Sequence, residues 1–405
     1  IPVYEIPDGI LNWPAPGNPY FRGQSGKIYS IPLNDNMAPY VEVDGQPGYN
    51  PVFGDYPDVP GDENLWWVFN DVGNEHTETG GEPLGVEVRA LAYAFNSPES
   101  MARHTFYRYE IESHRYDLDS FIIGKWVDVE IGNYQDDFVG CDTVRNLAIG
   151  YNGDRIDETA VGFGPNPPMT ALQWLKTPKK PNGQSVDMST FFYYSNDFSV
   201  NGNPEIAHHY YYGLNGRNKN NQGTNCDTTG DFNAPRWPDD PSDSSGCSEC
   251  ALGNTPFDRR YVTALEPITL AKGEIVTIDY AMIYARCPNM YPPQGCPSFS
   301  CIQQVADQTK QFYQNQVTSI PPFIAQPNWH IYPNPSNGII TIETPIDQGP
   351  KQYSITDIQG RILFNSTIVD SAQHIDISSL QAGIYFIHLQ HENDGISVKK
   401  LIVNP

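Results

Sequence analysis

Apolar residues in this chain recur at every second position far more often than at every third or fourth. The alternation is plain at Ile340/Ile342, Tyr385/Ile387/Leu389 and Ile396/Val398, and such a period sets one row of side chains on one face of an extended strand. Aromatic and β-branched runs carry the same signature at LWWVFND (65–71), GVEVRALAYAF (85–95), HTFYRYEIES (104–113), SFIIGKWVDVEI (120–131) and RNLAIGYN (145–152). It continues at STFFYYSND (189–197), RRYVTALEPITL (259–270) and EIVTIDYAMIYA (274–285). The expectation is an all-β protein: a jelly-roll-like β-sandwich over 61–287, and a small Ig-like β-sandwich at the C-terminal end, its short strands separated by turn clusters such as Asn-Asp-Gly (393–395).

Other stretches break the pattern. Residues 1–60 are proline-rich and extended, and within them Glu42, Asp44 and Asp55 are placed to form either a calcium loop or a plain acidic turn. The segment 196–258 is a long excursion, read as too polar to pack. In 288–328 a cysteine-containing loop precedes SCIQQVADQTKQFYQNQV (300–317), where Ile302, Val305, Thr309 and Phe312/Tyr313 recur at helical spacing behind a capping Ser300. A Pro-rich linker then leads to the unit at 329–405.

Charge excludes some functions. Twenty-four basic against 48 acidic side chains give a net charge of −24, which repels phosphate backbones and argues against a nucleic-acid partner. No run of 18 apolar residues exists to form a membrane-spanning helix. Seven cysteines point to an oxidising compartment. Cys141, between apolar neighbours, is the expected free thiol. The others form two groups of three, Cys226/Cys247/Cys250 and Cys287/Cys296/Cys301, so full pairing requires at least one bridge between groups. Ile1 reads as a processed terminus or as the start of the ordered part of something longer.

The ordered motifs of the last unit are Tyr332-Pro333-Asn334-Pro335 with Gly338, an Asp-x-x-Gly-Arg turn at Gly360-Arg361, a Leu-x-x-Gly-x-Tyr strand at Gly383 and Tyr385, and the ending Lys399-Lys400-Leu401-Ile402-Val403. Together they resemble the type A C-terminal sorting domain of the type 9 secretion system of Bacteroidota. The resemblance implies a secreted or cell-surface protein, exported across the outer membrane via the periplasm. It implies as partners the translocon, its outer-membrane shuttle barrel and a sortase that attaches the cargo to lipopolysaccharide. The span of about 20–315 resembles large secreted flavobacterial surface proteins of unknown activity, carried by LWWVFNDVGNEHTETGGEPLGVEVRALAYAF and IGKWVDVEIGNYQDDFVGCDTVRNLAIGYNGDRIDE.

Catalytic templates are scarce. His208-His209 lacks the spacing of a zinc protease, and neither a Gly-x-Ser-x-Gly elbow nor a phosphate-cradling glycine loop occurs. Eight carboxylates fall between Asp128 and Glu158, and hard oxygen donors at that density suit calcium. Asp128, Glu130, Asp136, Asp137 and Asp142 are the expected ligands, against the alternative of a solvated acidic rim. Trp66, Trp67, Trp174 and Trp237 are candidates for a sugar platform, although tryptophans in a sandwich are more often core, and adjacent Trp66 and Trp67 must face opposite ways. The expectation is a calcium-stabilised binding or adhesive module with a surface glycan or lipopolysaccharide as ligand, the alternative being a glycan-active hydrolase using a carboxylate pair.

Overall fold

A computed structural model of the protein describes residues 4–5, 38–43, 45–51, 55–72, 77, 79–158, 160–180, 182–223, 236–317, 329–344, 351–357, 361–368, 371–390 and 396–404. Two compact units divide the chain, Ile1–Tyr313 and Gln314–Pro405.

The main strands of the first unit are β1 (Tyr4–Glu5), β2 (Glu63–Asn70), β3 (Val86–Ala94), β4 (Thr105–Ser113), β5 (Gly124–Asp128), β6 (Asp137–Asp142), β7 (Leu147–Asn152), β8 (Met169–Lys176), β9 (Met188–Ser195), β10 (Arg259–Leu265) and β11 (Ile275–Ala285). Eight form one antiparallel sheet in the order β1-β2-β3-β4-β11-β8-β7-β6, and three form a second in the order β9-β10-β5. The large sheet is two meanders joined by β11, the longest strand, at its centre.

Alternation decides what lies between the sheets. From the large sheet come Val88, Ile111, Val139, Cys141, Ala148, Leu172, Trp174, Ile278 and Tyr280; from the small one come Phe191, Tyr193, Tyr261 and Leu265. Burying each such large side chain contributes about 1.5–3 kcal/mol. Two polar atoms that cross this layer are partnered: Trp174 Nε1 donates to Thr263 Oγ1 (3.2 Å), and Tyr261 Oη donates to the Ala148 carbonyl (3.3 Å).

The predicted helix is α2 (Ser300–Phe312), continued by a π turn over Tyr313–Val317. It packs on β11 and β8 of the large sheet. Ser300 does not cap it. The capping position belongs to Phe299, and the Ser300 amide donates to Ser298 Oγ instead (3.2 Å).

The excursion at 196–258 overturns the expectation that it is too polar to pack. It includes a second helix, α1 (Ala207–Leu214), whose Leu214 rests on Phe192, Tyr194 and Val262. Trp237 is fully buried against Tyr193, with ring centroids 4.3 Å apart. The Trp237 carbonyl accepts the Cys141 amide (3.0 Å), and Glu249 Oε1 accepts the Val139 amide (3.0 Å). The excursion therefore seals β6, the open edge of the large sheet, the usual defence of an exposed edge. Polar composition misled because Glu249 is neutralised inside: its carboxylate takes Nε and Nη2 of buried Arg259 at 3.1 and 2.9 Å.

The second unit is built from β12 (His330–Tyr332), β13 (Ile339–Glu343), β14 (Lys351–Asp357), β15 (Ile362–Ile368), β16 (Ala372–Asp376), β17 (Gly383–Gln390) and β18 (Ile396–Val403). The sheets β12-β13-β16 and β15-β14-β17-β18 enclose Trp329, Ile340, Ile342, Ile355, Ile387, Leu389, Leu401 and Val403. That is the small sandwich expected from the alternation.

Candidate functional site

The motifs of the second unit, scattered through the sequence, meet in the fold. Asn334 reaches β18 with both ends of its side-chain amide: Nδ2 donates to the Lys400 carbonyl (2.7 Å), and Oδ1 accepts the Ile402 amide (2.8 Å). Two residues on, the Ser336 amide donates to the Ile402 carbonyl (3.0 Å), and the Asn404 amide donates to the Ser336 carbonyl (2.9 Å). The Tyr-Pro-Asn-Pro segment thus occupies the free edge of the last strand. Leu401 and Val403 point into the core, while Lys399 holds its ammonium 5.4 Å from the centre of the Trp329 ring. At the Asp-x-x-Gly-Arg turn, Arg361 Nε donates to Asp357 Oδ2 (2.6 Å) and its amide to Oδ1 (3.0 Å); Gly360 lies outside the described residues. Tyr385 Oη donates to the Gln381 carbonyl (2.9 Å), closing the turn before Gly383. Tyr332, Pro333, Asn334, Pro335, Arg361 and Gly383 are exposed, and Gly338 is half-buried.

The acidic stretch of the first unit is divided. Asp128 pairs with Arg260 (2.9 Å), and Glu130 is exposed. Asp142 accepts the Val144 amide (3.0 Å), Arg145 Nη1 (2.9 Å) and Gln303 Nε2 (3.0 Å), tying β6 to α2. Asp136 and Asp137 are held elsewhere, with Asp157, which the sequence reading did not single out as a ligand. Asp137 is fully buried; one oxygen accepts the Ile131 amide (3.0 Å), and the other has no partner. Burial, and then the nearby carboxylates of Asp136, Asp157 and Asp258, push its pKa up to about 8. Burial also raises Asp136 to about 6, with Asp157 adding to the effect. Asp157 is buried too, accepting the Asn133 amide (3.0 Å) and the Phe163 amide (2.6 Å).

Among the described residues, Glu87, Glu112 and His114 bring three ligating atoms within 4.8 Å of one another. Arg89 stands among them, 3.2 Å from Glu87 and in close contact with Glu112, so a guanidinium already supplies the positive charge. In the N-terminal segment Asp55 accepts the Val43 amide (2.8 Å) and the Asn50 amide (2.7 Å), which folds the loop as a turn; Asp44 lies outside the described residues.

Of the four tryptophans proposed as a platform, Trp66, Trp174 and Trp237 are buried and only Trp67 is part-exposed. Trp67 borders a trough that runs into the core. Cross-strand register places Leu65, Ala92, Tyr107, Tyr280 and Trp174 in one row on one face of the large sheet. Leu65 is 38 % exposed and Trp174 is 2 % exposed, so the row descends from open surface to sealed core. Ala92 is the low point of the row, and beside it a cavity of about 490 Å³ is lined by Glu63, Leu65, Thr105 and Tyr107. Further along the row, at Tyr280, Lys125 Nζ lies 4.3 and 4.6 Å from the ring centres of Tyr109 and Tyr280 and donates to Tyr109 Oη (3.2 Å). Burial lowers this lysine to about 8. The signal in the sequence was the run of alternate alanines, Ala90, Ala92 and Ala94, within an otherwise bulky strand.

The sulfur chemistry follows the grouping. Cys250–Cys296 is the bridge between groups, Cys287–Cys301 closes within one, and Cys141 is the buried free thiol. Cys247 is also disulfide-bonded, and Cys226 lies outside the described residues.

Residues 330–404 match the family described as the secretion system C-terminal sorting domain. A domain of that family at this position marks a cargo of the type 9 secretion system, delivered across the outer membrane to the cell surface or beyond. The match does not extend into the first unit, and no curated protein sequence matches the chain. Solved structures similar to parts of it include PorZ, an essential surface component of the type-IX secretion system of Porphyromonas gingivalis, at 20 % identity and a TM-score of 0.17 over 19 % of this chain and 12 % of that one. A polysaccharide lyase overlaps at 6 % identity and 0.22 over 78 % and 34 %. A biofilm-associated protein domain overlaps at 7 % and 0.17 over 82 % and 84 %. Likeness this slight transfers neither fold nor activity. Among the described residues no helix is long and apolar enough to cross a membrane.

Proposed function

We propose that the chain is a surface-delivered binding protein. The translocon, shuttle barrel and sortase of the type 9 system read its second unit, and its first unit binds a surface glycan along the Leu65–Trp67 trough. The observation that carries the reading is the assembly of the Tyr-Pro-Asn-Pro segment onto β18, which gathers the sorting motifs into one structure. The trough supports the second half: exposed apolar rings suit the flat faces of sugars, and among the described residues Glu63 is the one carboxylate that lines the cavity. Hydrolysis of a glycosidic bond ordinarily takes two carboxylates, so binding is favoured over turnover.

The test has two arms. Deleting residues 329–405 should leave the first unit folded but retained in the periplasm, and grafting them onto an unrelated exported fluorescent protein should carry it to the surface. Export of the truncated chain, or retention of the graft, sinks the sorting half. On a glycan array the full chain should show a ligand that Trp67→Ala loses; a chain blind to every glycan, or unaffected by that change, sinks the binding half.

A further inference from the structure

The end of the sandwich where β6 and β7 begin and finish holds polar atoms the fold itself does not satisfy. Asp137 and Asn152 are direct cross-strand partners, so their side chains leave the sheet on the same face with Cβ atoms about 5 Å apart. Both residues are fully buried. Asn152 spends its Nδ2 on the Asp154 carbonyl (3.2 Å), which fixes the amide with Oδ1 as the other terminus, and that oxygen has no partner. The free oxygen of Asp137 has none either. With Asp137 ionised, these two buried acceptors side by side cannot satisfy each other, and leaving each unpaired costs about 1–3 kcal/mol.

The surroundings add more negative charge. Asp136 immediately precedes β6 with both oxygens shielded from solvent, and the Glu158 carboxylate stands beside it. Asp157 is fastened close by: a Cβ at Gly132, where φ is +66°, would meet Asp157 Oδ2 at 1.9 Å. Only a glycine lets the 132–133 turn approach that carboxylate, and the approach places the Asn133 amide on it. Two arginines of β10 are committed elsewhere, Arg259 to Glu249 and Arg260 to Asp128 and Asp258.

We propose that Asp137 and Asn152 anchor a site for a hard divalent cation of the calcium type, completed by Asp136 and Asp157. An amide oxygen beside several carboxylates is the donor set calcium takes, and calcium tolerates irregular geometry and water in its shell. As placed, Asp136, Asp137 and Asp157 do not each bring an oxygen within 4.8 Å of the other two, so the ion draws Asp136 and Asp157 inward or reaches them through water. The site lies apart from the trough, and its role is to brace the mouth of the core, where buried Ile131 donates its amide to Asp137. Asp128 and Asp142, each engaged with an arginine, take no part.

The experiment titrates calcium chloride into the full chain after removal of bound metal with EDTA, following heat release and thermal unfolding, with magnesium chloride as the comparison. The expected result is one calcium per chain at a dissociation constant of about 1 mM or tighter, the range of extracellular modules, with unfolding shifted upward by calcium. Asp137→Asn, which retains an acceptor for the Ile131 amide, and Asn152→Leu should each weaken binding at least about thirtyfold, worth roughly 2 kcal/mol. Asp128→Asn should bind as the parent does. The rival arrangement is a protonated Asp137 donating to Asn152. It predicts no calcium response and an Asp137→Asn variant, whose amide can still donate, as stable as the parent in EDTA. That pair of results overturns the proposal, as does calcium binding that survives both anchor substitutions or is lost in Asp128→Asn.

Discussion

Replacing Asn334 with alanine isolates the join between the first motif and the last strand of the sorting unit. The side chain makes two hydrogen bonds to β18, at 2.7 Å to the Lys400 carbonyl and 2.8 Å to the Ile402 amide. A protein hydrogen bond contributes a net 0.5–1.5 kcal/mol. Asn334 is exposed, so water recovers part of the loss, and the substitution should cost about 1–2 kcal/mol. Hydrogen–deuterium exchange on the full chain reads this locally. Exchange of the Ile402 amide should quicken by roughly five- to thirtyfold, since 1.4 kcal/mol is tenfold in population. Asn334→Asp keeps the acceptor for Ile402 but loses the donor to Lys400, and should fall between parent and alanine. Amides of β13, which do not touch Asn334, should change less. If Ile402 exchanges at the parental rate in Asn334→Ala, the motif does not hold the strand and the reasoning fails.

Glu249→Gln should strip buried Arg259 of its counter-charge; removing one partner of such a pair costs about 3–5 kcal/mol, so the first unit should melt markedly lower, and an unchanged transition would show that the ion pair is not needed. Lys125 carries a pH signature. Its folded pKa of about 8 lies below its ordinary value of 10.5, so the unfolded chain holds the extra proton between those values and stability rises with pH across that window. The gap caps the penalty at about 3 kcal/mol at neutral pH, and attraction to the Tyr109 and Tyr280 rings offsets some of it. Lys125→Met should therefore be more stable than the parent by about 1–2 kcal/mol in urea at pH 7, with the difference shrinking by pH 10. A difference that does not vary with pH would refute the assignment.

What the sequence showed depended on whether the deciding interaction was local. Alternation found both sandwiches because the side-chain period is a property of the strand itself, and Tyr385/Ile387/Leu389 had no other way to lie. The same logic placed Trp66 and Trp67 on opposite faces. The excursion was misjudged because Glu249 and Arg259, ten residues apart, look like solvated charges until the fold brings them together. Asp157 was counted in the acidic stretch but not picked out, since nothing in its neighbours announces that Gly132 makes room for it. The trough was legible only as a gap: Ala92 between Leu65 and Tyr107 means nothing until the register sets those three in a row.

The attachment of Asn334 and Ser336 to β18 gives the sorting unit an inspection step of its own. Residues 334–336 are made more than sixty residues before the strand they bind, and nothing before β18 can stand in for it. A chain that stops early, or is clipped in the last turn, presents a Tyr-Pro-Asn-Pro segment with its amide contacts unmet and a sandwich lacking Leu401 and Val403 from its core. Machinery that read this closed edge would pass over any molecule in which β18 is missing, because the edge exists only once that strand is in place.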